Sequence, residues 1–164
     1  MLFRSLAAGG RILAAQMPGV QPSGPRTRPE LRLDAFSATL DALHLGGGVG
    51  VPVGTYARVV GLVGAGVARA PGSTGDEDDT GFSARAEMLV RFHFDPVRQS
   101  RWGPYAAGGA TLRSDLEECC RGNLALLIGI EGPAVTGRTW AFELGFGGGV
   151  RAALVLRGGG GRWR

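Results

Sequence analysis

Between Phe82 and Phe94 the side chains alternate without a break. Phe82, Ala84, Ala86, Met88, Val90, Phe92 and Phe94 share one parity, while Ser83, Arg85, Glu87, Leu89, Arg91 and His93 share the other. A helix would scatter both sets around its surface, whereas a strand gives each set its own face. The run is also long. Fully extended it spans about 43 Å, and tilted by about 45° it covers about 30 Å, the thickness of a bilayer's hydrocarbon core. Strands of globular domains average about five or six residues.

The rest of the chain repeats this pattern at lower contrast. Leu43, Leu45, Val49, Val51 and Val53 oppose His44, Gly46, Gly48 and Gly50. Val59, Val63 and Val67 oppose Tyr56, Arg58, Gly64 and Gly66. Leu124, Leu126, Ile128 and Ile130 oppose Asn123, Gly129 and Glu131. Trp140, Phe142, Leu144 and Phe146 oppose Glu143, Gly145, Gly147, Gly149 and Arg151, and the Gly/Ala-rich stretch 103–113 is a weaker example. Six runs are clear. An up-and-down order with six strands would put the two ends of the barrel segment beside the acidic loops. Tight turns near Ala38–Ala42 and at Gly147–Gly149 bring the count to eight and move both ends to the opposite side. The expected fold is all-β: an up-and-down antiparallel β-barrel that crosses a membrane, with six clear strands, and eight implied by the family resemblance given below, which places both ends away from the acidic loops.

Composition supports strands over helices. Glycine supplies 30 of the 164 residues, far above its usual share of about 7%, and glycine is costly inside helices. Many glycines fall on the charged parity. A water-facing surface has no need of them there, but the crowded lumen of a narrow barrel does. No stretch of about 18 apolar residues exists to form a transmembrane helix.

Residues 31–157 are expected to form the barrel. Before them, residues 1–30 read as a degraded signal peptide or a disordered segment. Arg4, a short apolar run and Leu13-Ala14-Ala15-Gln16 have the order of a signal peptide, which Gly9, Gly10 and Arg11 interrupt. Residues 18–29 are rich in Pro, Gly and Arg, as linkers are. Residues 158–164 read as a flexible Gly/Arg tail.

Parity assigns the side chains to faces. Arg58, Arg85, Glu87, Arg91, Glu131, Glu143 and Arg151 fall on the inner face, where an ion-pair network filling the lumen is expected. Facing lipid, each arginine would cost about 2–4 kcal/mol at the midplane, so the pattern also fixes the register. Phe82, Met88, Val90, Phe92, Phe142, Leu144 and Phe146 are expected to face lipid. Tyr56, Phe94, Trp102, Tyr105 and Trp140 cluster near turns at one end, as an aromatic belt would. The opposite end carries Asp76 to Asp79, Asp115, Glu117 and Glu118. The alternative fold is a soluble β-barrel or sandwich that binds a small apolar ligand or a protein partner, with the Phe82/Met88/Phe92 face turned inward.

The segment Val90-Arg91-Phe92-His93-Phe94-Asp95, a turn, and then Trp102-Gly103-Pro104-Tyr105-Ala106-Ala107-Gly108-Gly109 resembles small bacterial outer-membrane β-barrel proteins of the OmpA/OmpX-like class. Phe142 to Arg151 is similar to their closing strands. The resemblance covers residues 31–157. It implies the bacterial outer membrane as location, a structural or surface-interaction role, outer-membrane lipids and the barrel-assembly machinery as partners, and a monomer. Proteins of this class often end on an aromatic residue, whereas here Trp163 is followed by Arg164.

No motif points to catalysis, and an enzymatic role is not expected. Ser83 and His93 lie more than about 30 Å apart along one extended strand. The glycine runs 46–50 and 145–149 lack the Gly-Lys-Ser/Thr of a phosphate-binding loop. Cys119, Cys120, His44 and His93 do not have zinc-site spacing, and 76–79 lacks the EF-hand pattern, so neither cofactor nor metal is expected. Net charge is +4, with every basic residue an arginine. The arginines are scattered rather than gathered on one stripe, so nucleic acid is not an expected partner.

Overall fold

A computed structural model describes residues 27–38, 41–70, 79–96, 102–114 and 120–158. The expected leader at 1–26, the acidic segment 71–78, Asp115 to Cys119 and the tail from 159 onward lie outside the described residues.

Eight strands follow one another: β1 (Arg28–Ser37), β2 (Asp41–Pro52), β3 (Ala57–Ala70), β4 (Asp79–His93), β5 (Gly103–Ser114), β6 (Arg121–Glu131), β7 (Thr139–Phe146) and β8 (Val150–Arg157). Each pairs antiparallel with its neighbours in sequence, and β8 pairs with β1 to close the barrel. The chain is a closed, eight-stranded, up-and-down antiparallel β-barrel. Of the two tight turns expected, the first, near Ala38–Ala42, has residues 39–40 outside the described ones and gives way to β2 from Asp41, and the second, Gly147–Gly149, falls between β7 and β8. At the second, the Gly147 amide donates to the Gly149 carbonyl at 3.1 Å, and Gly148 takes φ +83°, which a glycine adopts without a Cβ clash.

The barrel starts earlier than expected. Arg28, Pro29 and Glu30 belong to β1 and not to the preceding segment. Pro29 has no N–H to offer, so it suits the first turn of a strand's pairing. Its carbonyl accepts the Gly158 amide at 2.9 Å.

Register fixes the shape. From Arg28, successive pairing partners are Gly50, Val60, Leu89, Gly109 and Ala125. The same registers continue through Gly147 and Gly149 and return to the line of β1 at Ala38, ten residues above the start. That stagger over eight strands corresponds to a tilt of about 40°, within the range of closed barrels. It also sets which side chains share a level in the lumen. Two interior groups result. Val60, Leu62, Leu89, Ala107, Ala125 and Leu127 make an apolar cluster on β3 to β6. The charged side chains project mainly from β1, β4, β7 and β8.

Candidate functional site

The interior of this barrel is its most unusual chemistry. Glu30, Arg32 and Asp34 on β1, Arg85, Glu87 and Arg91 on β4, Glu131 on β6, Glu143 on β7, and Arg151 and Arg157 on β8 are all buried. The alternation of each strand turns them inward, and glycines let neighbouring strands approach closely around them. Gly46 and Gly64, for example, face one another across β2 and β3. An added Cβ at Gly64 would lie 3.3 Å from the Cα of Gly46.

The charges form one connected network. In its upper part Asp34 accepts from Arg85 at 2.5 Å and from Arg151 Nε at 2.9 Å, and Glu87 accepts from both terminal nitrogens of Arg151 at 2.7 and 3.0 Å. In its lower part Glu30 accepts from Arg91 at 2.5 and 2.9 Å, and Arg157 donates to Glu131 at 2.7 Å and to Glu143 at 2.9 Å. Arg32 joins the halves by pairing with both Asp34 and Glu143. Such pairs, buried and bonded on several sides, offset the desolvation cost that an isolated buried charge could not.

Six of the seven inner-face residues expected from the sequence are in this network: Arg85, Glu87, Arg91, Glu131, Glu143 and Arg151. Arg58 is the correction. It lies on the inner face at the end of the lumen that holds both barrel ends, half-buried, and makes no ion pair among the described residues. Parity predicts a face, but a partner must also sit at the same level. At that level Glu131 pairs with Arg157 and Arg28. Glu30, Arg32, Asp34 and Arg157 were not anticipated. Their signal was present in the alternation with Leu31, Leu33, Leu154 and Leu156.

Tyr105 is a second correction. It is 1% exposed and points into the lumen rather than joining an outer belt. It shares parity with Ala107 and Arg113, and proximity to a turn does not change which way a strand residue points. Its hydroxyl donates to Glu143 at 2.6 Å and accepts from Arg157 at 2.7 Å. Its ring covers Gly129, where an added Cβ would meet the hydroxyl oxygen at 2.6 Å. The guanidinium groups of Arg157 and Arg91 lie 4.8 and 5.1 Å from the ring centre. The other four belt residues, Tyr56, Phe94, Trp102 and Trp140, are exposed at the end that holds both barrel ends.

The outer face is the reverse of the inner one. Phe82, Met88, Val90, Phe92, Phe142, Leu144 and Phe146 all point outward, with Phe82 70% exposed. Large apolar side chains stand outside on β1 to β4 and on β6 to β8, and β5 adds Ala106, Gly108, Ala110 and Leu112. The soluble alternative required the Phe82/Met88/Phe92 face inside; it is outside.

No catalytic set assembles among the described residues. The Ser83 hydroxyl donates to the Ser114 carbonyl at 3.2 Å, at the far end of β4 from His93. No protein-family model matches the chain, and no curated protein sequence matches it. Among solved structures, the solution NMR structure of the de novo designed TMB2.3 is similar, with a TM-score of 0.51 and 18% identity over 87% of this chain and 100% of that one. The likeness is one of fold.

Proposed function

We propose that this chain is an integral outer-membrane β-barrel of a bacterium, akin to the OmpA/OmpX-like class, with a structural or surface-interaction role and a closed lumen. One observation carries the reading: apolar side chains occupy the outer face around the ring, while the charges are enclosed. In water this arrangement would expose far more contiguous apolar surface than the roughly 300–600 Å² patch of a typical monomer. In a bilayer both faces are satisfied, since a closed barrel leaves no backbone edge unpaired in hydrocarbon.

Dimensions agree. β1 has 10 residues and at the tilt above rises about 25 Å, the height of the apolar band in such barrels. Tyr56, Phe94, Trp102 and Trp140 then mark one membrane interface, on the side of the barrel's two ends. The partners in this reading are outer-membrane lipids and the barrel-assembly machinery, with the protein a monomer. The network fills the lumen as a plug, and the role includes neither catalysis nor nucleic-acid binding.

The test is expression in a Gram-negative host, followed by membrane fractionation and gel migration with and without boiling. Recovery in the outer-membrane fraction with heat-dependent migration is expected. A protein that stays monodisperse in buffer without detergent would overturn the reading.

A further inference from the structure

The interior charges do not balance at one end. Glu30, Asp34, Glu87, Glu131 and Glu143 are the interior carboxylates, and Arg32, Arg85, Arg91, Arg151 and Arg157 hold them. Of the other inward-facing arginines, Arg113 lies towards the opposite end, and Arg28 and Arg58 lie at the mouth on the side of the barrel's two ends. Arg58 stands directly across from Arg91 in the β3–β4 register. Arg91 is itself committed to Glu30 and Glu143. Like charges in directly opposed positions are destabilising.

Neighbouring groups reinforce the imbalance. Arg28 and Arg91 repel Arg58, while Glu131 and Glu30 attract it. Arg28 pairs loosely with Glu131, 3.9 Å away at Oε1, while the other oxygen of Glu131 accepts from Arg157 at 2.7 Å. The Nη1 of Arg58 and the Nε2 of His93 are both buried and have no hydrogen-bond partner among the described residues. A buried donor without an acceptor forfeits its hydration, at a greater cost when it is charged. Between these groups β2 contributes Gly50 and Pro52, one without a side chain and the other without an N–H donor. The mouth thus gathers Arg28, Arg58 and the His93 imidazole around the carboxylate of Glu131, with Glu30 beside Gly50, so that donors outnumber acceptors there.

We propose that this mouth is a binding site for a phosphate-class oxyanion, held by Arg58 and Arg28 with His93 as a further donor. A planar guanidinium matches the geometry of a phosphate's oxygens, and two of them with an imidazole match its charge. The anion is either the headgroup of a phospholipid reaching the barrel rim or a free phosphate. The two share one chemistry, and the inorganic ion needs no membrane, so failure of this site and failure of the membrane reading are distinguishable.

The test uses the full chain folded in nonionic detergent. Thermal unfolding is followed as inorganic phosphate replaces sodium chloride at constant ionic strength. A second series uses phosphatidylcholine bilayers with and without phosphatidylglycerol. Saturable stabilisation by inorganic phosphate identifies a free-ion site, and stabilisation by phosphatidylglycerol alone identifies a headgroup site. In either case Arg58→Gln weakens the apparent affinity by about tenfold, and Arg58→Lys by less. If Arg58→Gln does not fold, His93→Gln serves as the second variant, with a smaller loss. No response beyond matched chloride or phosphatidylcholine, or an equal response from wild type and Arg58→Gln, overturns the proposal.

Discussion

The side chain of Arg151 on β8 donates through Nε to Asp34 on β1 at 2.9 Å, across the strand pair that closes the barrel. A second contact, Arg157 to Glu30 at 3.2 Å, spans the same seam four residues lower on β1. The seam is therefore held by charge as well as by its backbone ladder. Asp34→Asn leaves Arg32, Arg85 and Arg151 without their shared carboxylate. Breaking such a buried set costs about 3–5 kcal/mol. Urea unfolding in detergent, followed by tryptophan fluorescence, measures it. A loss under about 1 kcal/mol would show that the network contributes little to closure.

Tyr105 makes two separable contributions. Tyr105→Phe keeps the ring over Gly129 but removes the bonds to Glu143 and Arg157, an expected loss of about 1–3 kcal/mol. Tyr105→Ala also removes the ring and costs more, about 3–5 kcal/mol by analogy with other large-to-small interior changes. Equal losses for both variants would mean that the hydroxyl carries the whole effect.

The strand pattern was legible where bulky apolar residues alternate with charges, as along β4, because parity alone assigns such residues to faces. β1 was harder to see. Its ten residues adjoin a Pro/Gly/Arg-rich stretch, and Pro29 resembles a linker residue until the Gly158 amide is found on its carbonyl. For Tyr105, nearness to a turn suggests the belt, but its parity with Ala107 and Arg113 decides its face. Arg58 shows a further limit. Its face was legible but its lack of a partner was not, since the level of each side chain depends on a stagger that accumulates around all eight strands.

A lumen occupied by paired charges should pass little current. In planar bilayers the wild-type protein is expected to show no steady ohmic channel. Replacing Arg32 and Glu143 together with alanine removes the link between the upper and lower halves of the network, and conductance steps are expected to appear. Wild-type currents of the size seen in open porins would contradict a plugged interior.

On the outer face, Met88 lies near mid-height and is 66% exposed. Met88→Arg should cost about 2–4 kcal/mol in a bilayer, the penalty for arginine near the midplane. The same change on a water-facing surface would stay within about 0.5 kcal/mol. Folding equilibria in lipid vesicles distinguish these values.

The most direct measurement of the central claim is what the outer face touches. Cys119 and Cys120 are replaced by serine, a single cysteine is placed at Met88, and a fluorophore on it is examined in bilayers. Lipids with brominated acyl chains are expected to quench it strongly and aqueous iodide weakly. Strong quenching by iodide with none by brominated lipid would contradict a membrane-spanning barrel.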